Sequence, residues 1–138
     1  MKQLPETMFP LVIRADFSSQ SRWNRICAEI SKPVGEDGFL ADVVFLDDES
    51  YKDITKQQLL ELVPKGYPHT FIMLVDQIAI SESESPLLIV DLYTEPGREF
   101  RASPSEIQGI QNNLSIANMD FRDFADNVDN DGVFRGFK

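Results

Sequence analysis

Aspartates stand at the ends of four short apolar segments, and carboxylates are the side chains with which proteins hold Mg²⁺. Asp16 ends the first segment, Asp47 and Asp48 end the second, Asp76 ends the third and Asp91 ends the fourth. If the first three segments are parallel strands, their carboxyl ends meet at one edge of a sheet, where open α/β sheets bind ligands. A Mg²⁺ ion at that edge could orient the phosphate of a small-molecule substrate.

The same aspartates also have a structural explanation, which we favour. Aspartate often ends strands and caps helices and turns because its carboxylate accepts hydrogen bonds from nearby backbone N–H groups. The chain has no phosphate-binding glycine-rich loop, nucleophile elbow or histidine-based metal motif. We therefore predict no cofactor. Magnesium-dependent catalysis on a phosphorylated small molecule, through the four weak candidates Asp16, Asp47, Asp48 and Asp76, is the alternative function.

A further acidic segment, Asn127–Gly132, resembles the opening of a calcium-binding EF-hand loop. Oxygen-bearing side chains alternate along it and glycine takes the sixth position, but Lys138 stands at the twelfth, where a bidentate glutamate is needed. We interpret the segment as a polar turn that ends a helix.

The only histidine and the only cysteine carry no catalytic signal. His69 precedes a predicted strand, and no second base or metal ligand accompanies it. Cys27 falls on the apolar face of a predicted helix, so we expect a buried and unreactive thiol. A lone cysteine cannot form an intramolecular disulfide, which favours a reducing compartment.

The C-terminal third holds the candidate residues for a ligand or partner site. Side-chain amides cluster in the link between two predicted helices, at Asn112, Asn113 and Asn118. They could bond turn backbone groups or line a polar pocket, and we favour the structural role. The last residues place aromatic rings around an arginine, at Phe134, Arg135 and Phe137. This tail could dock onto the domain or anchor a partner, and we favour docking.

Apolar periodicity and capping residues predict the elements in the first half of the chain. A strand at 11–14 precedes a helix from about Ser19 to Ser31. A second strand, at 39–46, should have both faces largely covered, because it is rich in β-branched and aromatic residues. A Thr-x-x-Gln capping box at residues 55–58 begins the second helix, and a third strand covers 70–75.

The second half is predicted to hold a hairpin and two helices. The segment after Asp76 is expected to be an irregular loop, with room for a brief strand at 78–80. Strands at 87–92 and 99–101 form the hairpin. A Ser-x-x-Glu capping box with proline at the first helical position starts a helix at residues 103–106. The last helix begins at Asn118 or Asp120, and its apolar stripe runs to Val128.

This order of elements predicts a single α/β domain with an ordered core over about residues 10–137. Two strand–helix–strand units (βαβαβ), a β-hairpin and two C-terminal helices would give a mixed sheet covered by helices. A thioredoxin-like arrangement is the alternative. The chain lacks a Cys-x-x-Cys motif, so a redox function would not follow from that arrangement.

Charge and hydropathy favour a cytoplasmic protein. The net charge is −10, which repels nucleic acid backbones and anionic membrane surfaces and suits a basic protein partner. The N-terminal residues do not match a signal peptide, and no apolar run approaches the roughly 18 residues of a membrane span.

Four segments carry a resemblance to a known family: PLVIRADFSSQSRW, LLELVP followed by GY and H, PLLIVDLYTEPGREFR, and NNLSIANMDFRDFADNVDNDGVFRGF. They resemble an uncharacterised bacterial family, a domain of unknown function, and the likeness runs from about Pro10 to Phe137. The resemblance implies one complete domain of bacterial type and brings no activity, cofactor or catalytic residue with it.

Taken together, the absence of a catalytic constellation and the acidic composition favour a non-enzymatic protein-interaction module. A small acidic domain could serve as an immunity or inhibitor protein that sequesters a basic partner and attracts it by charge.

Overall fold

A mixed sheet of six strands forms the centre of the molecule in a computed structural model that describes residues 1–138. In chain order the strands are β1 (Leu11–Arg14), β2 (Val44–Leu46), β3 (Phe71–Val75), β4 (Leu87–Asp91), β5 (Glu99–Ala102) and β6 (Val133–Phe134). Their order across the sheet is β2-β1-β3-β4-β5-β6. β1, β2 and β3 are parallel, β4 and β5 form an antiparallel hairpin beside β3, and β6 runs parallel to β5.

Five α-helices and two 3₁₀ turns surround the sheet. The helices are α1 (Gln20–Ile30), α2 (Lys56–Leu62), α3 (Gln77–Ser81), α4 (Ile107–Ser115) and α5 (Phe121–Ala125), and the 3₁₀ turns cover Glu49–Tyr51 and Pro104–Glu106. The protein is therefore the predicted α/β domain, with a βαβαβ unit followed by a hairpin and two helices. The helix α3 and the strand β6 are additions to that prediction.

Two hydrophobic layers lie on opposite faces of the sheet because side chains alternate along each strand. On β1, Val12 packs with α1, α4 and α5, whereas Leu11 and Ile13 pack with α2 and the first 3₁₀ turn. The five residues of β3 divide between the layers in the same way and are all buried. Helices on both faces therefore explain why β3 is apolar at every position and why β1 and β4 each hold a single charged residue, at the end of the strand.

Local capping signals place the first two helices where the sequence predicts them. The Ser19 hydroxyl accepts a hydrogen bond from the backbone N–H of Arg22 at 3.2 Å and begins α1. The capping box of α2 is complete, because Thr55 and Gln58 each accept from the other's backbone N–H, at 3.1 and 3.0 Å.

The prediction for the second strand was wrong in length and in burial. Only Val44–Leu46 pair with β1, and all three are half-buried, because β2 is the outermost strand of the sheet. Gly38, at φ +67°, turns the chain so that Phe39 bridges back to Val34, and the segment from Leu40 to Val43 makes no strand pairing.

Three smaller predictions also differ from the structure. Residues 78–80 lie in α3 rather than in a strand, because the Asp76 carboxylate caps that helix at the N–H of Ala79, at 3.2 Å. Ser103 makes no capping hydrogen bond; Pro104 opens a 3₁₀ turn, and α4 begins only at Ile107. The last helix ends at Ala125, so Val128 lies outside the helix, although its half-buried side chain still packs against the core.

Candidate functional site

The carboxyl ends of β1 and β3 form a small cavity that brings two of the predicted aspartates together. Asp16 and Asp76 line this cavity of about 260 Å³, and Asp53 is the third acidic residue in its wall. The chain leaves β1 through α1 and leaves β3 through α3, and both helices pack on the same face of the sheet. The crossover through α2 leaves from β2 on the other face, so the position where doubly wound sheets bind ligands lies between β1 and β2 rather than at this cavity. Asp47 and Asp48 lie outside the cavity.

The carboxylates at this edge bind neighbouring groups of the protein. Asp76 forms a bidentate ion pair with Arg101, at 3.0 and 2.7 Å, besides capping α3. Asp16 accepts from the backbone N–H of Ser18 at 2.8 Å. Asp48 accepts from the N–H of Ser50 and pairs with Lys2, and these contacts lower the pKa of Asp48 to about 2. No group of three or more His, Cys, Asp or Glu side chains is placed to hold a metal ion.

Asp91 lies at the opposite end of the sheet, because β4 is antiparallel to β3. Its carboxylate is buried and accepts from the backbone N–H groups of Tyr93 and Glu95, at 2.9 and 2.8 Å. It therefore orders the turn of the hairpin and takes no part in the carboxyl edge.

Arg14 is an important residue that the sequence did not single out. It ends β1 with only 3% of its surface exposed. Its guanidinium donates to Gln20 Oε1 at 2.9 Å and to the Asp47 carboxylate at 3.3 Å, and it lies 4.3 Å from the centre of the Phe17 ring. Arg14 thus joins the start of α1 to the end of β2. The only sequence signal for this role is a charged residue directly after three apolar ones.

The EF-hand-like turn binds cationic side chains of the protein. Arg135 donates to Asp129 at 2.8 Å, to Asp131 at 2.7 Å and to Glu84 at 2.7 Å. Lys138 donates to Asp129 at 2.7 Å. These hydrogen bonds hold the pKa of all three carboxylates below their usual values.

The C-terminal tail docks onto the domain as strand β6. Phe134 is buried against Phe100 and Phe124, with ring centres 6.4 and 5.2 Å away. Phe137 is 54% exposed, yet its ring centre lies 5.0 Å from that of Phe134. Phe134 and Arg135 are therefore occupied within the domain, and only one side of Phe137 remains open.

Two of the three candidate amides build the turn that ends α4. The backbone N–H of Asn118 donates to the carbonyl of Asn113 at 3.0 Å, and that of Ala117 donates to Leu114 at 3.2 Å. This pair of bonds is the Schellman motif, whose left-handed position glycine usually takes. Here it is Ala117, at φ +56°. The side chain of Asn118 donates to that of Asn113 at 2.8 Å and braces the turn.

The variant Ala117→Gly is expected to raise the free energy of unfolding by about 0.5 kcal/mol, because the left-handed conformation strains any residue with a Cβ atom. Urea denaturation of the variant and the wild type measures the change. The matched control is Ala28→Gly on the exposed face of α1, which should lower the same quantity by about 1 kcal/mol. A loss of stability at both positions would contradict the strain at Ala117.

Cys27 is half-buried, and burial raises the pKa of its thiol to about 11. We expect iodoacetamide at pH 8 to modify it at least tenfold more slowly in the folded protein than in guanidinium, where the ordinary thiol pKa applies. Mass spectrometry of timed samples measures both rates. Equal rates would show that the folded domain leaves the thiol reactive.

Asn112 is the one candidate amide whose side chain is exposed and makes no hydrogen bond within the domain. It lines a cleft of about 440 Å³ between the C-terminal half of α4, residues 8–10 and residues 68–71, which lead into β3. Apolar side chains stand exposed around the same cleft: Met8 at 84%, Ile116 at 64%, and Phe9.

His69 also lines the cleft. Its Nε2 lies 2.7 Å from the carbonyl oxygen of Thr7, and this contact holds residues 8–10, which form one wall of the cleft, in place.

An acidic segment adjoins this cleft. Asp42 lines the cleft, and its backbone N–H donates to Gln111 Oε1 of α4 at 2.8 Å. Residues 33–51 contain six carboxylates and no lysine, arginine or histidine: Glu36, Asp37, Asp42, Asp47, Asp48 and Glu49. Phe39 and Leu40, just before Asp42, are exposed. We call the cleft together with residues 39–45 the β2-edge surface. Its charge run is visible in the sequence, but its exposed apolar residues are not.

A family model covers residues 9–137, which is nearly the whole chain. The chain belongs to DUF6924, a domain of unknown function. This agrees with the resemblance to an uncharacterised domain family. No curated protein matches the chain. None of its helices has the length and apolar character needed to cross a membrane.

Proposed function

We propose that this domain is a non-enzymatic, cytoplasmic protein-interaction module of bacterial origin, and that it binds a basic protein at the β2-edge surface. The observation that carries the proposal is the exposure of Met8, Phe9 and Ile116 around one cleft. Contiguous exposed apolar side chains rimmed by polar groups are typical of protein-binding sites. Asn112 supplies a free amide at the same place.

Charge supports a basic partner. The segment 33–51 carries six carboxylates without a cation, and the whole chain has a net charge of −10. A single-sign field of this kind accelerates encounters with a partner of opposite sign and disfavours anionic ones. An immunity or inhibitor protein that sequesters a basic protein would use both the apolar cleft, for affinity, and the acidic segment, for attraction.

The experiment is capture of partners from bacterial lysate with three tagged forms of the domain, at low and at physiological salt. The forms are the wild type, the double variant Phe9→Ser/Ile116→Ser, and Ile78→Ser. Ile78 is an exposed apolar residue at the opposite end of the sheet, which makes it the matched control. Thermal melting of each form verifies that it is folded.

We expect a basic protein to be recovered with the wild type and with Ile78→Ser, to be lost with the double variant, and to decrease as salt rises. Recovery that is unchanged in the double variant would refute the β2-edge surface as the binding site. Repeated failure to recover any basic protein, even at low salt, would refute the proposed function.

A further inference from the structure

The two edges of the sheet differ in how their outward backbone groups are satisfied. At β6, the N–H of Val133 donates to the Asp131 carboxylate at 3.2 Å, and its carbonyl accepts from the N–H of Asp129 at 2.9 Å. The turn before β6 therefore closes that edge against another strand. This is one of the ways in which proteins protect a sheet edge from further pairing.

The edge at β2 has no such protection. The N–H of Val44 donates inward to the carbonyl of Pro10 at 2.9 Å. In a parallel ladder the backbone groups of successive residues point alternately to the two sides. The N–H and C=O groups of Phe45 therefore point outward, and the backbone N–H of Val43, just before the strand, is also unpaired. No backbone or side-chain partner in the domain bonds them.

The side chains of β2 are already used by the two hydrophobic layers. Val44 and Leu46 pack on the face that carries α2, and Phe45 packs on the other face with its ring centre 6.1 Å from that of Trp23. What remains available at β2 is the outward N–H and C=O of Phe45, with the unpaired N–H of Val43 two residues before it. Unpaired backbone groups at a sheet edge are a template for an added strand.

We propose that the partner contributes an extended basic segment that adds to β2 as a seventh strand, an inference that rests on the proposed function. Asp42 and Asp47 flank the strand and are both partly exposed, although Asp47 also binds Arg14. Lysine or arginine side chains on the added strand lie beside these carboxylates. Its apolar side chains contact Phe39 and Leu40, which are exposed at the start of the same segment.

Charge distinguishes this occupant from a second copy of the chain. Pairing of two β2 edges would bring the acidic segments 33–51 of both copies together, and neither segment contains a cation to neutralise the other. Like charges held opposite each other on neighbouring strands are destabilising. The edge therefore favours a strand of opposite charge.

The test selects ligands from a phage library of random twelve-residue peptides, with the intact domain as bait, and measures the selected peptides by fluorescence anisotropy. We expect peptides in which lysine or arginine alternates with β-branched or aromatic residues. The variant Val43→Pro removes the unpaired N–H at the start of this edge and should weaken peptide binding at least tenfold, whereas Val43→Ala keeps that N–H and should change the binding less than threefold.

A second pair of variants tests the same claim without altering the backbone. Asp42→Lys reverses a charge beside β2 and should weaken binding at least fivefold. Asp37→Lys makes the same change in the turn before Phe39 and should have a smaller effect. Thermal melting before each titration verifies folding.

Three outcomes would overturn the inference, and they separate it from the proposed function. If the selected peptides bind Val43→Pro and Asp42→Lys as tightly as the wild type, but lose affinity for Phe9→Ser/Ile116→Ser, the cleft binds the partner without strand addition. If the selection enriches no basic extended peptide, the proposal of strand addition at β2 is refuted. The proposed binding of a basic protein is then tested by the lysate capture alone. If light scattering shows a dimer that Val43→Pro converts to a monomer, the occupant is a second copy.

Discussion

Replacing Phe124 by alanine is expected to lower the free energy of unfolding by about 4 kcal/mol, which is a large fraction of the stability of a domain of this size. Phe124 is almost fully buried in α5. Its ring stacks on that of Phe100 at 6.3 Å and meets that of Phe134 edge-on at 5.2 Å. Removal of the ring leaves a cavity between the helix layer and β5 and β6, which the surrounding side chains can fill only in part.

Urea denaturation measures this loss, and an unchanged dependence on urea concentration would show that the unfolding transition itself is the same. The matched control is Phe137→Ala, which removes a ring that contacts the same cluster but is 54% exposed. That variant should cost less than about 1 kcal/mol, because the ring gains little from burial. Equal losses would contradict the division of the tail into a buried strand and an exposed end.

The second large effect is expected at Arg14. Arg14→Ala should lower the free energy of unfolding by about 3 kcal/mol, since the arginine is buried and its removal leaves several polar groups without partners. Gln20 Oε1 and the Asp47 carboxylate both lose a donor, and the Phe17 ring loses the guanidinium beside it. The loss is limited because Asp47 is partly exposed and water can solvate its charge.

Thermal and urea unfolding of Arg14→Ala, Arg14→Lys and Arg25→Ala tests this prediction. Lysine keeps the charge but loses the planar group that binds Gln20 and Asp47 together, so it should cost more than half as much as alanine. Arg25 forms an exposed ion pair with Glu29 within α1, and its replacement should cost less than about 0.5 kcal/mol. A cost at Arg14 as small as that at Arg25 would show that Arg14 does not join α1 to β2.

Local signals allowed the sequence to predict the class of the fold and several element boundaries. Ser19 and the Thr55–Gln58 capping box fix helix starts through hydrogen bonds between residues three apart, so their effect is contained in the sequence around them. The apolar run at residues 70–75 likewise predicts a strand from its own residues, and β3 covers Phe71–Val75.

The elements that the sequence missed depend on distant partners. The apolar run at 39–46 resembles a buried strand, but it lies outermost in the sheet, so only Val44–Leu46 pair with β1. The pairing of Val133–Phe134 with β5 follows from the aromatic cluster around Phe100, which assembles residues far apart in the chain. Neither strand order nor such a cluster can be derived from local periodicity.

The candidate site was predicted only in part. Among the six candidates, Asn112 lines the cleft of the β2-edge surface, whereas Asn113 and Asn118 build the turn after α4. The cleft itself joins residues near position 9, near 42 and near 112, and this convergence exists only after folding. The same holds for Arg14, whose partners come from α1 and from the end of β2.

The most direct test of binding at the β2-edge surface is photo-crosslinking in living bacteria with p-benzoylphenylalanine placed singly at Leu40, Ile116 or Ile78, three exposed apolar positions. If the β2-edge surface binds a basic protein, the first two positions give a crosslinked adduct with that protein, and Ile78, at the far end of the sheet, gives none. An adduct formed through Ile78 but through neither Leu40 nor Ile116 would contradict binding at this surface.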